Sequence, residues 1–295
     1  MHLDPAQLAA LAAILRSGSF ERAAHDLGVT QSAVSQRLKA LETRVGALLV
    51  HRGQPCTGTA TGRRLAAHAD RIGLLEADLA RDVAALAPAP RTRLRIAVNA
   101  DSLATWFPDA LAGMPQHLFE LVIDDQDVSH DWLRRGEAVG AVTASDQPVA
   151  GCNVVPLGAL RYIPTASPEF MARHFPQGVT ADAIARAPML QFNVKDRLQH
   201  NWIERVFGRA ISPPSHLIAS PEGFVRAARL GLGWGLNPET LVTQEIAAGQ
   251  LVSLLPGAHF DTPLYWQSGR LLAEALAPLT RSIRKAARGA LRPRG

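Results

Sequence analysis

The sequence predicts an α/β chain in three parts: a small helical module closed by a hairpin, one long helix, and two α/β units that share a cleft. Three observations predict it. Three apolar patterns of helical period crowd into the first 46 residues, separated by glycines. A seven-residue apolar repeat follows. From residue 93 onward, β-like and helix-like stretches alternate in two successive sets.

Each element has its own signals. In "DPAQLAALAAILRSG", Leu8, Leu11 and Leu15 share a helix face. Asp4 can cap this first helix, Pro5 suits its first turn, and Gly18 stops it. Ser19 can cap a second helix from Phe20 to Leu27, which Gly28 ends. Thr30 starts a third, running to about Val45 and closed by Gly46. "LLVHRGQPCTG" reads as a short hairpin with Gly and Pro at its tip. A long helix is predicted over roughly 60–87, with Leu65, Ile72, Leu79 and Leu86 at heptad spacing. That stripe serves either a partner chain as a dimerisation seam or the helix's own domain. "APAPRTR" (87–93) is a Pro-rich linker.

Beyond it, "LRIAV", "LFELVI" and "VGAVT" read as strands, with "SLATWFPDALA" and "VSHDWLRRG" as the helices between them. The second set is "APMLQFN", "SHLIA" and "GWGLN" as strands, with "RLQHNWIERVFG" and "PEGFVRAARLG" as helices. "PLYWQSG" returns as a late strand before a C-terminal helix. Such units bind ligands in the crevice beyond the carboxyl ends of their strands.

The third helix carries the clearest chemistry. Val34, Leu38 and Leu41 lie on one side, continued by Val45. Thr30, Gln31, Ser32, Ser35, Gln36 and Lys39 supply hydroxyls, amides and a cation at its start and on its other side, with no carboxylate before Glu42. Short polar groups of this kind reach base edges in a major groove, and the cation meets phosphate. Arg52, beyond the hairpin's first strand, is placed for a phosphate or the minor groove. Charge agrees. Residues 1–72 carry nine Lys/Arg against five Asp/Glu, and 281–295 carry six against none, while the stretch between is net acidic. A basic front module on an acidic body implies a polyanion for the front end. The basic C-terminal stretch also reads as a solvated helix end.

In the cleft, Ser102 and Thr105 open a helix after the first strand and could meet a carboxylate; plain capping is the competing reading. Asp124 and Asp125 follow "ELVI", and Asn193 and Asp196 follow "MLQF". Acidic groups at strand ends suit a cationic ligand, and a solvated loop is the alternative for them. Trp106 and Trp132 read as core or as cleft walls.

Other classes fit poorly. Two distant cysteines make no zinc site or disulfide framework. No metal or cofactor motif is present, nor GxSxG, HExxH or a phosphate loop; "GLGWG" lies between helix and strand, the reverse of a dinucleotide fingerprint. No leader and no spanning run of apolar residues is found, so a cytoplasmic protein without membrane contact is expected.

"AAHDLGVTQSAVSQRLKALETRVGALLVHR", followed by "TATG" and a long helix, resembles the LysR-type transcriptional regulators. "LRIAVNADSLATWF", "LRRGEAVGAV", "LGALRYIPTASPEF" and "PLYW" resemble their ArgP/LysG branch, also called IciA. The resemblance implies a winged helix-turn-helix over 1–60, a dimerisation helix and hinge over 61–90, and an effector-binding domain over 91–295. That domain is of the periplasmic-binding-protein-like type, with subdomain I at 91–163 and 267–295 and subdomain II at 164–266. The resemblance further implies a regulator that senses lysine or arginine and activates an exporter gene for basic amino acids. Its implied partners are double-stranded DNA, the amino-acid effector, a second copy or a tetramer, and RNA polymerase. The alternatives are a LysR-type regulator with another effector, or a replication- or nucleoid-associated DNA binder.

Overall fold

The computed structural model describes residues 3–82, 92–123 and 129–293. The front module holds α1 (Pro5–Ser17), α2 (Phe20–Leu27) and α3 (Gln31–Val45). The Asp4 carboxylate accepts from the amides of Ala6 and Gln7, Ser19 Oγ from Arg22 N, and Thr30 Oγ1 from Ala33 N. Gly18, Gly28 and Gly46 close the three helices in the left-handed conformation, which costs glycine no Cβ clash. Leu8, Leu11, Ile14, Ala23, Val34, Leu38 and Leu41 form a dry core. The wing is the antiparallel pair β1 (Val50–His51) and β2 (Thr57–Gly58). The Glu42 carboxylate accepts from Leu49 N at 2.8 Å, so this acid pins the wing and is not a free charge on α3.

Helix α4 (Ala60–Asp82) leaves the wing directly. Thr59 Oγ1 accepts from Gly62 N, and a Cβ at Gly62 would lie 2.0 Å from the Leu49 carbonyl oxygen. Its half-buried Leu65, Ala66, Ala69 and Ile72 pack on the front module's core. Leu75 and Leu79 are exposed, and Leu86 lies outside the described residues. The heptad is thus divided: Leu65 and Ile72 face the helix's own domain, and Leu79 faces outward. The predicted end of this helix and most of the Pro-rich linker also lie outside the described residues.

The rest of the chain is built on a seven-stranded mixed sheet and, in the second unit, a separate two-stranded parallel sheet. Its first unit places β3 (Thr92–Val98) between parallel neighbours β4 (His117–Ile123) and β5 (Gly140–Thr143). Around them lie α5 (Ala100–Ala104), α6 (Phe107–Ala112) and α7 (Ser129–Arg134). The single helix expected across 102–112 is broken at Thr105–Trp106. Pro108 sits at the start of α6, and its ring would clash with the Ala104 carbonyl in a continuous helix.

A strand not expected from the sequence, β6 (Cys152–Ala166), crosses from the first unit to the second. Helices α8 (Pro168–His174) and α9 (Ala181–Arg186) follow, and were also unexpected. The second unit adds β7 (Met189–Gln191), α10 (Leu198–Phe207), β8 (Ser215–Leu217), α11 (Pro221–Arg229), β9 (Gly235–Pro238), α12 (Glu239–Ala247) and β10 (Val252–Ser253). The chain returns through β11 (Phe260–Gly269), antiparallel to both β6 and β5, and ends in α13 (Ala277–Ala290). Tyr162 is the point of exchange on β6: it pairs with Phe260 of β11 on one side and Pro238 of β9 on the other. Trp106, Trp202, Trp234 and Trp266 are buried in the core, so Trp106 is no cleft wall. The guanidinium groups of Arg95 and Arg135 both lie over the Trp132 ring, 5.1 and 4.9 Å from its centroid. No helix among the described residues is long and apolar enough to cross a membrane.

Candidate DNA-reading face and effector cleft

On α3 the apolar side is sealed, with Val34, Leu38 and Leu41 at most 1% exposed. Gln31, Ser32, Gln36 and Lys39 are exposed, and Ser35 is half-buried. Thr30 is exposed as well, its hydroxyl engaged as the cap. Arg52 is exposed on the wing, and its guanidinium lies over the Phe20 ring at 5.4 Å. The structure therefore gathers these seven residues on α3, its cap and the wing, around a rigid core. A rigid scaffold with exposed polar tips suits groove reading, because little side-chain anchoring is lost on contact.

A cavity of about 610 Å³ opens between the two α/β units. Its lining comes from strand ends, as the βα order predicts: Asn99–Asp101 after β3, Ile123 at the end of β4, Ala144 after β5, and residues 192–199 after β7. Tyr162, Leu236–Pro238 and Phe260–Pro263 come from the crossing strands and β9.

Three carboxylates on this lining have different states. Asp101 accepts a 2.7 Å hydrogen bond from the Tyr162 hydroxyl. Burial pushes its pKa up to about 6; the Tyr162 hydrogen bond opposes this, and Asp196 and Glu222 add to it. Burial also raises Tyr162 well above the usual phenol value, with the Asp101 charge adding to the effect. Asp196 is held by backbone amides, accepting from Phe192 N at 3.0 Å and Leu198 N at 2.8 Å. Asp261 is clamped by both arms of Arg161, at 2.8 and 2.7 Å, and that hydrogen bonding holds its carboxyl below the ordinary range.

Two neutral acceptors join them. Asn237 is fully buried, its amide donating to Thr165 Oγ1 at 2.9 Å, which orients the side chain. Its Oδ1 has no partner among the described residues, and neither has Thr262 Oγ1. Both residues line the cavity. A buried acceptor without a donor is costly, and a ligand bearing N–H groups would relieve it. Lys195 and Arg197 stand on the same lining and bring positive charge to it, Arg197 also donating to Glu204 Oε1 at 3.4 Å.

The expected cleft residues divide accordingly. Asn193 and Asp196 line the cavity, and Asn193 Oδ1 also shapes the loop by accepting from Lys195 N and Asp196 N. Ser102 and Thr105 do not line it. Ser102 is fully buried, while Thr105 donates to the Asp101 carbonyl at 2.6 Å. A single-turn α5 leaves no extended helix start at which they could hold a carboxylate. Asp124 and Asp125 lie outside the described residues. Asp101, Tyr162, Asn237 and Thr262 were missed. Asp101 immediately precedes Ser102, and Tyr162 lies in β6, a strand that local sequence rules do not reveal.

A winged helix-turn-helix joined through a long helix to a two-lobed, ligand-sized cleft is the architecture of a ligand-responsive transcriptional regulator. Comparison with known proteins agrees. The model for bacterial regulatory helix-turn-helix proteins of the lysR family matches residues 5–63, and that for the LysR substrate binding domain matches 87–288. The chain belongs to the LysR family, whose members similar to it are transcriptional regulators and not enzymes. It is 50% identical over 283 residues to the HTH-type transcriptional regulator ArgP of Pseudomonas aeruginosa, covering 94% of this chain and 93% of that one. The crystal structure of ArgP from Mycobacterium tuberculosis superposes with a TM-score of 0.80 at 47% identity, over 99% of this chain and 100% of that one. Full-length LysG from Corynebacterium glutamicum with bound effector Arg matches with a TM-score of 0.68 at 40% identity, over 98% and 100% of the two chains.

Proposed function

We propose that this LysR-type regulator senses a basic amino acid, lysine or arginine, in the cleft between its α/β units, and controls an exporter gene for such amino acids from the cytoplasm. The observation that carries the effector reading is the acceptor-rich lining. Asp101 beside Tyr162, Asp196 on its amides, Asn237 Oδ1 and Thr262 Oγ1 surround one cavity. An ammonium or guanidinium offers the donors these acceptors require, and Lys195 and Arg197 suit the α-carboxylate. The bound arginine of the Corynebacterium glutamicum relative supports the same chemistry. On the DNA side, Gln31, Ser32, Ser35, Gln36 and Lys39 of α3 contact bases and phosphates, with Thr30 at its cap and Arg52 on the wing. Two copies meet through the exposed outer side of α4 at Leu75 and Leu79. The test of the effector is a thermal-shift screen of the twenty amino acids, since a ligand that binds only the folded protein raises its midpoint by mass action. Arginine or lysine should stand out; a screen in which neutral or acidic amino acids raise the midpoint most would overturn the basic-amino-acid reading.

A further inference from the structure

Helix α13 has a charged face that neither the reading module nor the cleft uses. Its Leu279, Ile283 and Ala287 are buried in the core that also holds Leu94 and Ile96 of β3. Ser282 Oγ donates to the Ala110 carbonyl of α6 at 2.6 Å, which fixes the helix on the first α/β unit. Arg281, Arg284, Lys285 and Arg288 are exposed on the opposite side. By helical geometry these four fall within an arc of about 100° and span about 10 Å along the axis. None of them has a hydrogen-bond or ion-pair partner among the described residues. Asp109 of the neighbouring α6 and Glu274 ahead of α13 are exposed and pair with none of them. Arg292, beyond the helix, differs: it donates to Glu239 Oε2 at 3.0 and 2.7 Å.

Like charges four residues apart destabilise a helix, and Arg281 with Lys285 and Arg284 with Arg288 are two such pairs. An anion with closely spaced charges along the face relieves that repulsion. Duplex DNA carries one phosphate charge for about every 1.7 Å of its axis, so a stripe of this length runs past several. Three of the four cations are arginines, whose forked donors match phosphate oxygens. A protein partner fits worse. The exposed residues from 281 to 289 are the four cations and Gly289, with no apolar or aromatic group to form the desolvated centre of such an interface. DNA held by α3 of the same chain is also at high local concentration. We propose that this face of α13 holds the phosphate backbone of DNA flanking the stretch read by α3. The contact reads no bases, and it favours DNA curved toward the first α/β unit. Residues 73–280 are net acidic and repel DNA elsewhere on the body, so the stripe sets where the duplex approaches.

Random-sequence duplexes of about 20 and about 60 base pairs are the probes, the shorter being covered by two reading helices one turn of DNA apart. Affinity for each is measured over a salt series with the full chain and no effector. The slope of log affinity against log salt counts displaced counterions, about 0.9 for each phosphate neutralised. Arg281→Gln, Arg284→Gln, Lys285→Gln and Arg288→Gln together should lower that slope on the long duplex by about 2–4 per chain and leave it unchanged on the short one. A control with Arg173→Gln, Arg186→Gln, Arg209→Gln and Arg226→Gln, all exposed on the second unit, should change neither slope. An unchanged slope for the α13 variant on the long duplex, or an equal fall for the control, overturns the proposal. Without DNA, the α13 variant should match the parent in helical circular dichroism and in sedimentation. A changed sedimentation mass would assign the face to contact between copies and overturn the DNA reading. Lys285→Cys carrying an azidophenacyl group should crosslink the long duplex on irradiation, both native cysteines being buried. Crosslinks to protein alone would overturn the proposal as well.

Discussion

Asp101 is the residue on which the cleft's chemistry turns. With its pKa raised to about 6, its carboxyl is protonated in acid and ionised at neutral pH. A group raised in the folded state adds stability below its unfolded value near 3.8, and that contribution is lost as pH rises through 6. The ligand-free protein should therefore lose this part of its stability between pH 4 and 7. A cationic ligand reverses the trend at the site, because it favours the ionised carboxylate. Arginine affinity should fall as pH drops through 6, and Asp101→Asn should remove that dependence while costing about 1.5–3 kcal/mol of binding at neutral pH. Titration calorimetry from pH 5 to 8 checks this; parallel curves for parent and variant would contradict it. On α3, Gln36→Ala should weaken specific DNA binding by about 1–3 kcal/mol with the fold intact, as seen by gel shift. Val34→Asp should unfold the front module instead, because it buries an unpaired charge.

Among the elements, the front module was the most legible. Asp4, Ser19 and Thr30 cap as their residue types require, and Gly18, Gly28 and Gly46 end the helices. Local rules suffice there because each helix is short and closed by its own residues. Strand β6 was illegible for a physical reason. Its run "CNVVPLGALRYIPTA" holds Pro156, Gly158 and Pro164, which argue against a strand when read locally. The structure absorbs the first two at a register shift opposite Leu264 and Tyr265, a property of the pairing and not of the run itself. The cleft partners Tyr162 and Asp101, 61 positions apart, were hidden with it. Helix α4 gives two element-scale tests. Gly62→Ala would push a methyl into the Leu49 carbonyl, so the front module should lose about 1–3 kcal/mol in denaturant melts. Leu75→Asp with Leu79→Asp should yield monomers with weak operator binding, because both side chains are exposed on the single chain. Sedimentation showing an intact dimer would remove the outer side of α4 from the interface.

At the scale of the whole molecule, charge and architecture divide the work. The proposed reading face lies on a basic front module and the proposed cation site in an acceptor-lined cleft between the two units, with α4 packed on the front module and on the first unit. A ligand can shift the arrangement of such a molecule only by its differential affinity for the two states, and about 1–3 kcal/mol is the usual scale of such coupling. The sequence showed where the cleft lies, at the strand ends, but not which side chains converge there, since β6, β9 and β11 bring them together over long separations. The most direct measurement is calorimetric titration of the full-length protein with L-arginine, L-lysine and norleucine at neutral pH. Arginine or lysine should bind at least tenfold more tightly than norleucine, which has the same backbone without the cation. Equal affinity for norleucine, or no heat with either basic amino acid, would contradict the account.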